Sequence, residues 1–343
     1  MSAPHDLIAL GRVGVDLYPK RSGVPLAEVS EFARSLGGTA TNVAVAAARH
    51  GLRTAVVTGV GDDPFASYVR SALRGFGVDD SQVVTVPGRL TPVVFCEIHP
   101  PDDFPILFYR APVAPDQCLT GQDLDLAAFA RARMIWITGG GLAVEPSRAT
   151  TLLAAGQRGP DADTVLDLDW RPSFWQRPEE ATGWYARALE LATIAVGNRA
   201  EAKVAVGTDD PDRAADLLLE RGVRLAVIKQ GPRGVLARSP GEEVVIEPIP
   251  IRVVNGLGAG DAFGGALAAG LLAGRALREV VETANAAGAF VAGRLACADD
   301  MPEPHEIREL LWRHFRRRPQ DPPLTVPPRG RTAGIPRIWE EPD

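Results

Sequence analysis

Short apolar runs alternate along the chain with longer amphipathic ones. Leu7–Val15 (LIALGRVGV) is apolar almost throughout and predicts a buried strand ending in glycine. Asp16–Arg34 is mixed and broken by Pro19, Gly23 and Pro25. Gly37 and Gly38 precede Thr41–His50, an Ala-rich helix pattern closed by Gly51. Thr54–Gly59 predicts a second buried strand. Pro64–Phe76 predicts a helix with Phe65, Tyr68, Val69 and Leu73 on its apolar face. Further on, strands are predicted at Met134–Thr138, Thr164–Leu168, Ile194–Val196, Leu225–Lys229, Gly234–Arg238 and Glu243–Ile246, with a strand-like run at Ile249–Val254. Helices are predicted at Ser147–Gly156, Gly183–Leu191 and Pro211–Arg221, and after Asp261, Leu277 and Pro304. This alternation predicts a three-layer α/β/α domain around a mainly parallel sheet.

One stretch breaks the rhythm. Thr91–Tyr109 holds two strand-like runs, Val93–Ile98 and Ile106–Tyr109, joined by PPDDFP, which is a hairpin signal. With Asp16–Arg34 it predicts a small β lid from segments 16–34 and 91–110 beside the main sheet. The domain is expected to span residues 1–315. From about Arg316 the chain is basic and then Pro-rich, so residues 316–343 are expected to form an extended or disordered tail.

Composition narrows the function classes. The 343 residues are 45% apolar and 23% charged, ordinary for a globular protein. The net charge of −6 argues against a dedicated nucleic-acid surface, though not against a local anion site. Cys96, Cys118 and Cys297 are odd in number and far apart, which fits a reducing cytoplasm better than a disulfide framework. The five histidines lack the H-E-x-x-H spacing of a catalytic zinc site. Met1–Asp6 lead straight into the first strand without a signal-peptide pattern. The apolar region Gly258–Gly274 carries Asp261, which would cost roughly 2.5–3.5 kcal/mol at a bilayer centre, so no membrane span is expected.

The strongest local chemistry lies at Asn255–Gly265 (NGLGAGDAFGG), between a strand-like run and an apolar helix. Its glycines let backbone N–H groups approach an anion, and a helix N-terminus adds partial positive charge. A carboxylate at Asp261 would be repelled by a phosphate unless it takes a proton from an attacking alcohol. Local sequence alone also allows a plain helix cap after a tight turn. There is no P-loop motif and no dinucleotide-binding glycine fingerprint with an acidic partner.

The run GLGAGDAF resembles the C-terminal signature of the ribokinase/PfkB-like carbohydrate kinases. Gly37–Asn42 (GGTATN) resembles their N-terminal one, and GDDP at 61–64 and N-x-x-E at 198–201 follow in the right order. The resemblance covers about residues 6–315. It implies an ATP-dependent kinase with Asp261 as general base and Gly258, Ala259 and Gly260 as an anion hole. It implies substrate hydroxyls held by Asp16, Gly38 and Asn42. Asn198 and Glu201 would organise Mg2+ and the phosphates, Glu201 through water. Lys229, Gly231 and Gly234 would lie along the nucleotide, with Asn285 near the adenine. The family's C-terminal signature often opens Asp-Thr, where this chain has Asn255-Gly256. That departure leaves a K+ site in doubt.

Arg110 and Arg171 add a substrate argument. A guanidinium presents a planar fork suited to a carboxylate, which a neutral sugar does not need. Together with the wording of DLDWRPSFW and YRAPVAPD, the resemblance implies phosphorylation of the sugar acid 5-dehydro-2-deoxy-D-gluconate at its 6-hydroxyl, in myo-inositol catabolism. The alternatives are 2-keto-3-deoxygluconate, then fructose or ribose, and last a catalytically silent sugar or nucleotide binder. The lid is expected to pair two subunits in a homodimer, and neither nucleic acid nor membrane is expected as a partner.

Overall fold

A computed structural model describes residues 4–159, 161–317 and 322–326. Along the chain the elements are β1 (Leu7–Leu10), β2 (Gly14–Pro19), β3 (Phe32–Gly37), α1 (Thr39–Arg49), β4 (Thr54–Val60), α2 (Pro64–Gly75), β5 (Val78–Asp79), β6 (Val83–Thr85), β7 (Val93–Cys96), β8 (Ile106–Tyr109), α3 (Leu126–Arg131) and β9 (Met134–Thr138). They continue with α4 (Ser147–Ala155), β10 (Asp163–Asp167), α5 (Ala181–Leu189), β11 (Ile194–Asn198), α6 (Arg199–Val206), α7 (Pro211–Glu220), β12 (Leu225–Lys229), β13 (Val235–Ser239), β14 (Glu242–Ile246), α8 (Ala259–Leu272), α9 (Leu277–Ala292) and α10 (Pro304–Arg316).

The main sheet runs β14-β13-β12-β11-β10-β9-β1-β4-β5, with β6 beside β4. Strands β9 to β12, β1 and β4 pair in parallel, and only the β12-β13-β14 edge is antiparallel. Side chains of successive strand residues point to opposite faces, so a strand buried on both sides feeds two cores. Leu7, Ala9, Met134 and Trp136 enter the core shared with α1, α8 and α9. Ile8, Leu10, Ile135 and Ile137 enter the core beneath α5, α6 and α7. The expected three-layer α/β/α fold is what forms.

A separate sheet of order β3-β2-β7-β8 makes the lid, built from the two segments that broke the rhythm. Two expectations fail. The single strand Leu7–Val15 is two strands, because the chain leaves the main sheet at Gly11 and enters the lid sheet at Gly14. Ile249–Val254 is no strand: Pro248 and Pro250 lack N–H donors, and Ile251 makes only an isolated bridge to Leu324. That bridge is also where the described part of the tail lies, with Leu324 bonded to the residues on either side of Ile251 (Arg252 N donates to Leu324 O and Leu324 N donates to Pro250 O, both 2.8 Å). Most of the tail expected at 316–343 lies outside the described residues. Helices α3 and α6 were not expected.

Helices α1 and α8 cross at very short range. A Cβ at Gly265 would fall against Ala46 and Ala47, and one at Gly264 would lie 2.8 Å from the Trp136 ring. These two glycines let the helices close, which brings the start of α1 next to the start of α8.

Candidate active site

The lid covers the carboxyl ends of the central strands, the position where open α/β sheets bind ligands. Between them lies a cleft lined by Arg12, Asp16, Asn42, Arg110, Arg171 and Asp261 among others. Gly38 and Gly258 border it too. Seven of the expected site residues therefore share one cavity.

Asp261 sits in the first turn of α8, after Gly258 in the left-handed region (φ 78°). The first N–H groups of a helix have no carbonyl one turn back to bond, so this end of α8 presents donors. Asn42 Nδ2 donates to Asp261 Oδ2 at 2.8 Å across the α1–α8 contact. Burial pushes the Asp261 carboxyl up to about 6; the Asn42 hydrogen bond opposes the shift and Asp169 adds to it. Asp16 is buried and accepts from Tyr18 Oη (3.0 Å). Burial raises it to about 7, with Asp261 adding to the shift and Tyr18 opposing it. Gly38 contributes close backbone passage: a Cβ there would lie 2.5 Å from Arg12 O.

The remaining expected residues stand outside the cleft lining. Asn198 and Glu201 form a capping box at the start of α6, Asn198 Oδ1 accepting from Glu201 N (3.0 Å) and Glu201 Oε2 accepting from Asn198 N (2.7 Å). Lys229 ends β12, and a Cβ at Gly260 would lie 3.1 Å from its Nζ, so the ammonium reaches the start of α8. Burial pushes Lys229 down, but Asp167, Glu201 and Asp261 outweigh it and the net shift is upward. Burial in turn raises the Asp167 carboxyl, opposed by Lys229. Gly231 and Gly234 shape the β12–β13 turn, and Asn285 on α9 donates to Glu247 O (3.0 Å) just past β14.

Asn255 is fully buried, and both ends of its side chain are engaged. Nδ2 donates to Leu295 O (2.7 Å) and Oδ1 accepts from Leu257 N (3.0 Å). A carboxylate could not make the first of these bonds. The amide thus ties the loop before α8 to the segment after α9. Among the described residues no group of three or more His, Cys, Asp or Glu gathers to hold a metal, and no helix is long and apolar enough to cross a membrane.

Sequence reasoning missed Arg12, Tyr18, Asp169 and Cys297. Arg12 is buried and ion-paired to Asp169 at 3.1 Å. Tyr18 Oη bridges Asp16 and the Cys297 Sγ (2.8 Å). Arg12 lies inside what read as a continuous apolar strand, and only Gly11 hinted at the break. The two expected arginines have partners of their own: Arg110 pairs with Asp116 (2.9 Å) and Arg171 with Asp169 (3.4 Å).

A parallel sheet between helices, a β lid and a carboxylate at a glycine-framed helix start meet at this cleft. Residues 4–304 match the model of the pfkB family carbohydrate kinases, and the chain belongs to that family. It is an ATP-dependent carbohydrate kinase. Among its relatives, the 5-dehydro-2-deoxygluconokinase of Photobacterium profundum is 33% identical over 326 residues, 93% of this chain and 97% of the relative. That of Geobacillus kaustophilus is 32% identical over 318 residues, 91% and 95% of the two chains. An E. coli chain provisionally described as a ribokinase II, solved in complex with ATP and Mg2+, superimposes with a TM-score of 0.82 at 23% identity. That superposition covers 90% of this chain and 100% of the other, and establishes the ribokinase-like fold.

Proposed function

We propose that this kinase transfers the γ-phosphoryl group of ATP to the 6-hydroxyl of 5-dehydro-2-deoxy-D-gluconate, in myo-inositol catabolism. The observation that carries the reading is the union, in one lidded cleft, of Asp261 at the start of α8 with Arg110 and Arg171. The first supplies proton acceptance and the other two favour an anionic sugar.

In this reading Asp261 accepts the proton of the 6-hydroxyl as O6 attacks the γ-phosphorus. The bond between that phosphorus and the β–γ bridging oxygen breaks, and ADP leaves. A carboxyl with a pKa of about 6 is largely ionised at neutral pH, yet basic enough to share a proton in the transition state. Asn42 fixes its orientation. The N–H groups of Gly258, Ala259 and Gly260 face the developing phosphoryl charge, helped by Lys229. Mg2+, when bound with ATP, neutralises phosphate charge, and Glu201 would hold it through water beside Asn198. Gly231, Gly234 and Asn285 line the nucleotide's path. Asp16, Gly38 and Asn42 hold sugar hydroxyls, and lid closure keeps water from ATP. Asn255 Oδ1 already accepts from Leu257 N and carries no formal charge, so this position gives a K+ site beside the anion hole less than a carboxylate would.

The lid also supports a homodimer. Phe32, Phe95 and Tyr109 line up across three of its strands with ring centroids 5.4 Å apart, and Tyr109 is 62% exposed. An exposed aromatic face of this kind fits a second copy of the lid. Three cysteines outside any disulfide agree with a reducing cytoplasm.

ADP release measured across 5-dehydro-2-deoxygluconate, 2-keto-3-deoxygluconate, fructose and ribose tests the substrate. The first is expected to give the highest kcat/KM, and a clear preference for another overturns the assignment. In the same assay Arg171→Ala is expected to raise KM for the sugar acid about 10- to 100-fold, the worth of a charged hydrogen bond, with KM for ATP nearly unchanged. Equal effects on both would remove the carboxylate role. Arg171 is the cleaner probe, because removing Arg110 strands the buried carboxylate of Asp116.

A further inference from the structure

Where the chain passes from β1 to β2, the three residues Gly11–Val13 belong to neither sheet. Arg12 occupies this crossing, and its side chain turns into the interior with 8% exposure. Its Nη2 pairs with Asp169 (3.1 Å) and donates to Thr39 Oγ1, and the guanidinium carbon lies 5.1 Å from the centre of the Phe174 ring. Its Nη1 is enclosed by protein and has no acceptor. A buried donor left unpaired costs about 1–3 kcal/mol, and folded proteins seldom retain one without a use for it.

Asp169 is the sole non-glycine residue at positive φ (29°) among the described residues, a conformation that costs roughly 1–3 kcal/mol. It lies just past the end of β10 and serves two guanidinium groups at once, Arg12 and Arg171. Arg110, whose guanidinium carbon lies 4.3 Å from the centre of the same Phe174 ring, is matched by Asp116. Three guanidiniums that border the cleft therefore share two buried carboxylate partners. Asp16 and Asp261 also line the cleft, but their hydrogen-bond partners are Tyr18 and Asn42, which carry no charge. Arg12 and Arg171 thus share one ion-paired carboxylate, and Asp16 and Asp261 act on Arg12 only through space.

We infer that Arg12 is a third substrate-binding arginine, which with Arg171 receives the carboxylate of the sugar acid, and that Asp169 is a positioning residue that holds both forks. This rests on the sugar-acid reading above and sharpens it: charge selectivity comes from a clamp spanning the β1–β2 crossing and the β10 end. The strained backbone at Asp169 is what allows one carboxylate to face both arginines.

The test compares the preferred sugar acid with its own neutral amide, in steady-state kinetics at saturating ATP. For Arg12→Gln the KM of the acid is expected to rise about 10- to 100-fold. The kcat should stay within about threefold, ATP KM should not move, and the amide should be used as by wild type. Arg12→Lys, which keeps the charge without the planar fork, should fall between the two. Asp169→Asn should raise KM for the acid without changing use of the amide. If Arg12→Gln weakens acid and amide alike, or Asp169→Asn lowers kcat for both equally, the residues are structural and the inference fails. A wild type that prefers an acid over its amide, with the preference surviving in Arg12→Gln, overturns this inference alone. A wild type with no such preference overturns the sugar-acid reading as well.

Discussion

Asp261→Asn is expected to lower kcat by about 10²- to 10⁴-fold, the usual contribution of a positioned general base, while ATP affinity stays within about twofold. The substitution is nearly isosteric. The amide can still face Asn42, so the α1–α8 contact that sets the geometry survives. What is lost is the ability to accept a proton. The wild type should also carry the signature of this group in its pH profile. Burial raises Asp261 to about 6 and the neighbouring Asp16 to about 7, so log kcat/KM should begin to fall as pH drops below 7 and steepen below 6. The residual activity of Asp261→Asn should lose the steeper part below 6 and keep the limb that belongs to Asp16. Near-normal turnover, or an unchanged acid limb, would remove Asp261 from the proton transfer.

Gly258→Val is expected to lower kcat by about 10²- to 10³-fold, the range seen when one oxyanion-hole donor is lost. The position fails any larger residue twice. Its φ of 78° lies where a β-branched side chain is strained, and an added Cβ would lie 2.5 Å from Cys297 Sγ. Either way the turn must shift, and with it the N–H groups of Ala259 and Gly260. Combining it with Cys297→Ala removes the Sγ contact but leaves the Cβ at residue 297 only 2.9 Å away and the strain in place, so only part of the activity should return. Activity of the single variant within about threefold of wild type would mean that this turn does not hold the transferred phosphate.

Much of the fold was legible because each parallel strand is buried on both faces and reads as an unbroken apolar run, as at Met134–Thr138 and Leu225–Lys229. The lid was legible because its two segments departed from that rhythm. The same logic misled at Leu7–Val15: the run stays apolar while the chain changes sheets, and apolarity does not report which sheet buries it. It misled again at Ile249–Val254, where β-branched residues suggested a strand and two prolines removed the donors to pair it. Within the site, Asp261 and its glycines announced themselves by local pattern. Arg12 and Asp169 could not, since their meaning lies in a contact 157 positions apart along the chain. Asn255 looked like a lost charge, and its two backbone partners show an amide with a structural task.

The central claim is that this chain makes a 6-phosphate of a sugar acid at the expense of ATP. Phosphorus NMR of the purified enzyme incubated with ATP, Mg2+ and 5-dehydro-2-deoxy-D-gluconate tests it most directly. The account predicts one new phosphomonoester signal, coupled to the C6 methylene protons and growing in step with ADP. Inorganic phosphate as the sole product, or a phosphate ester at another carbon, would contradict it.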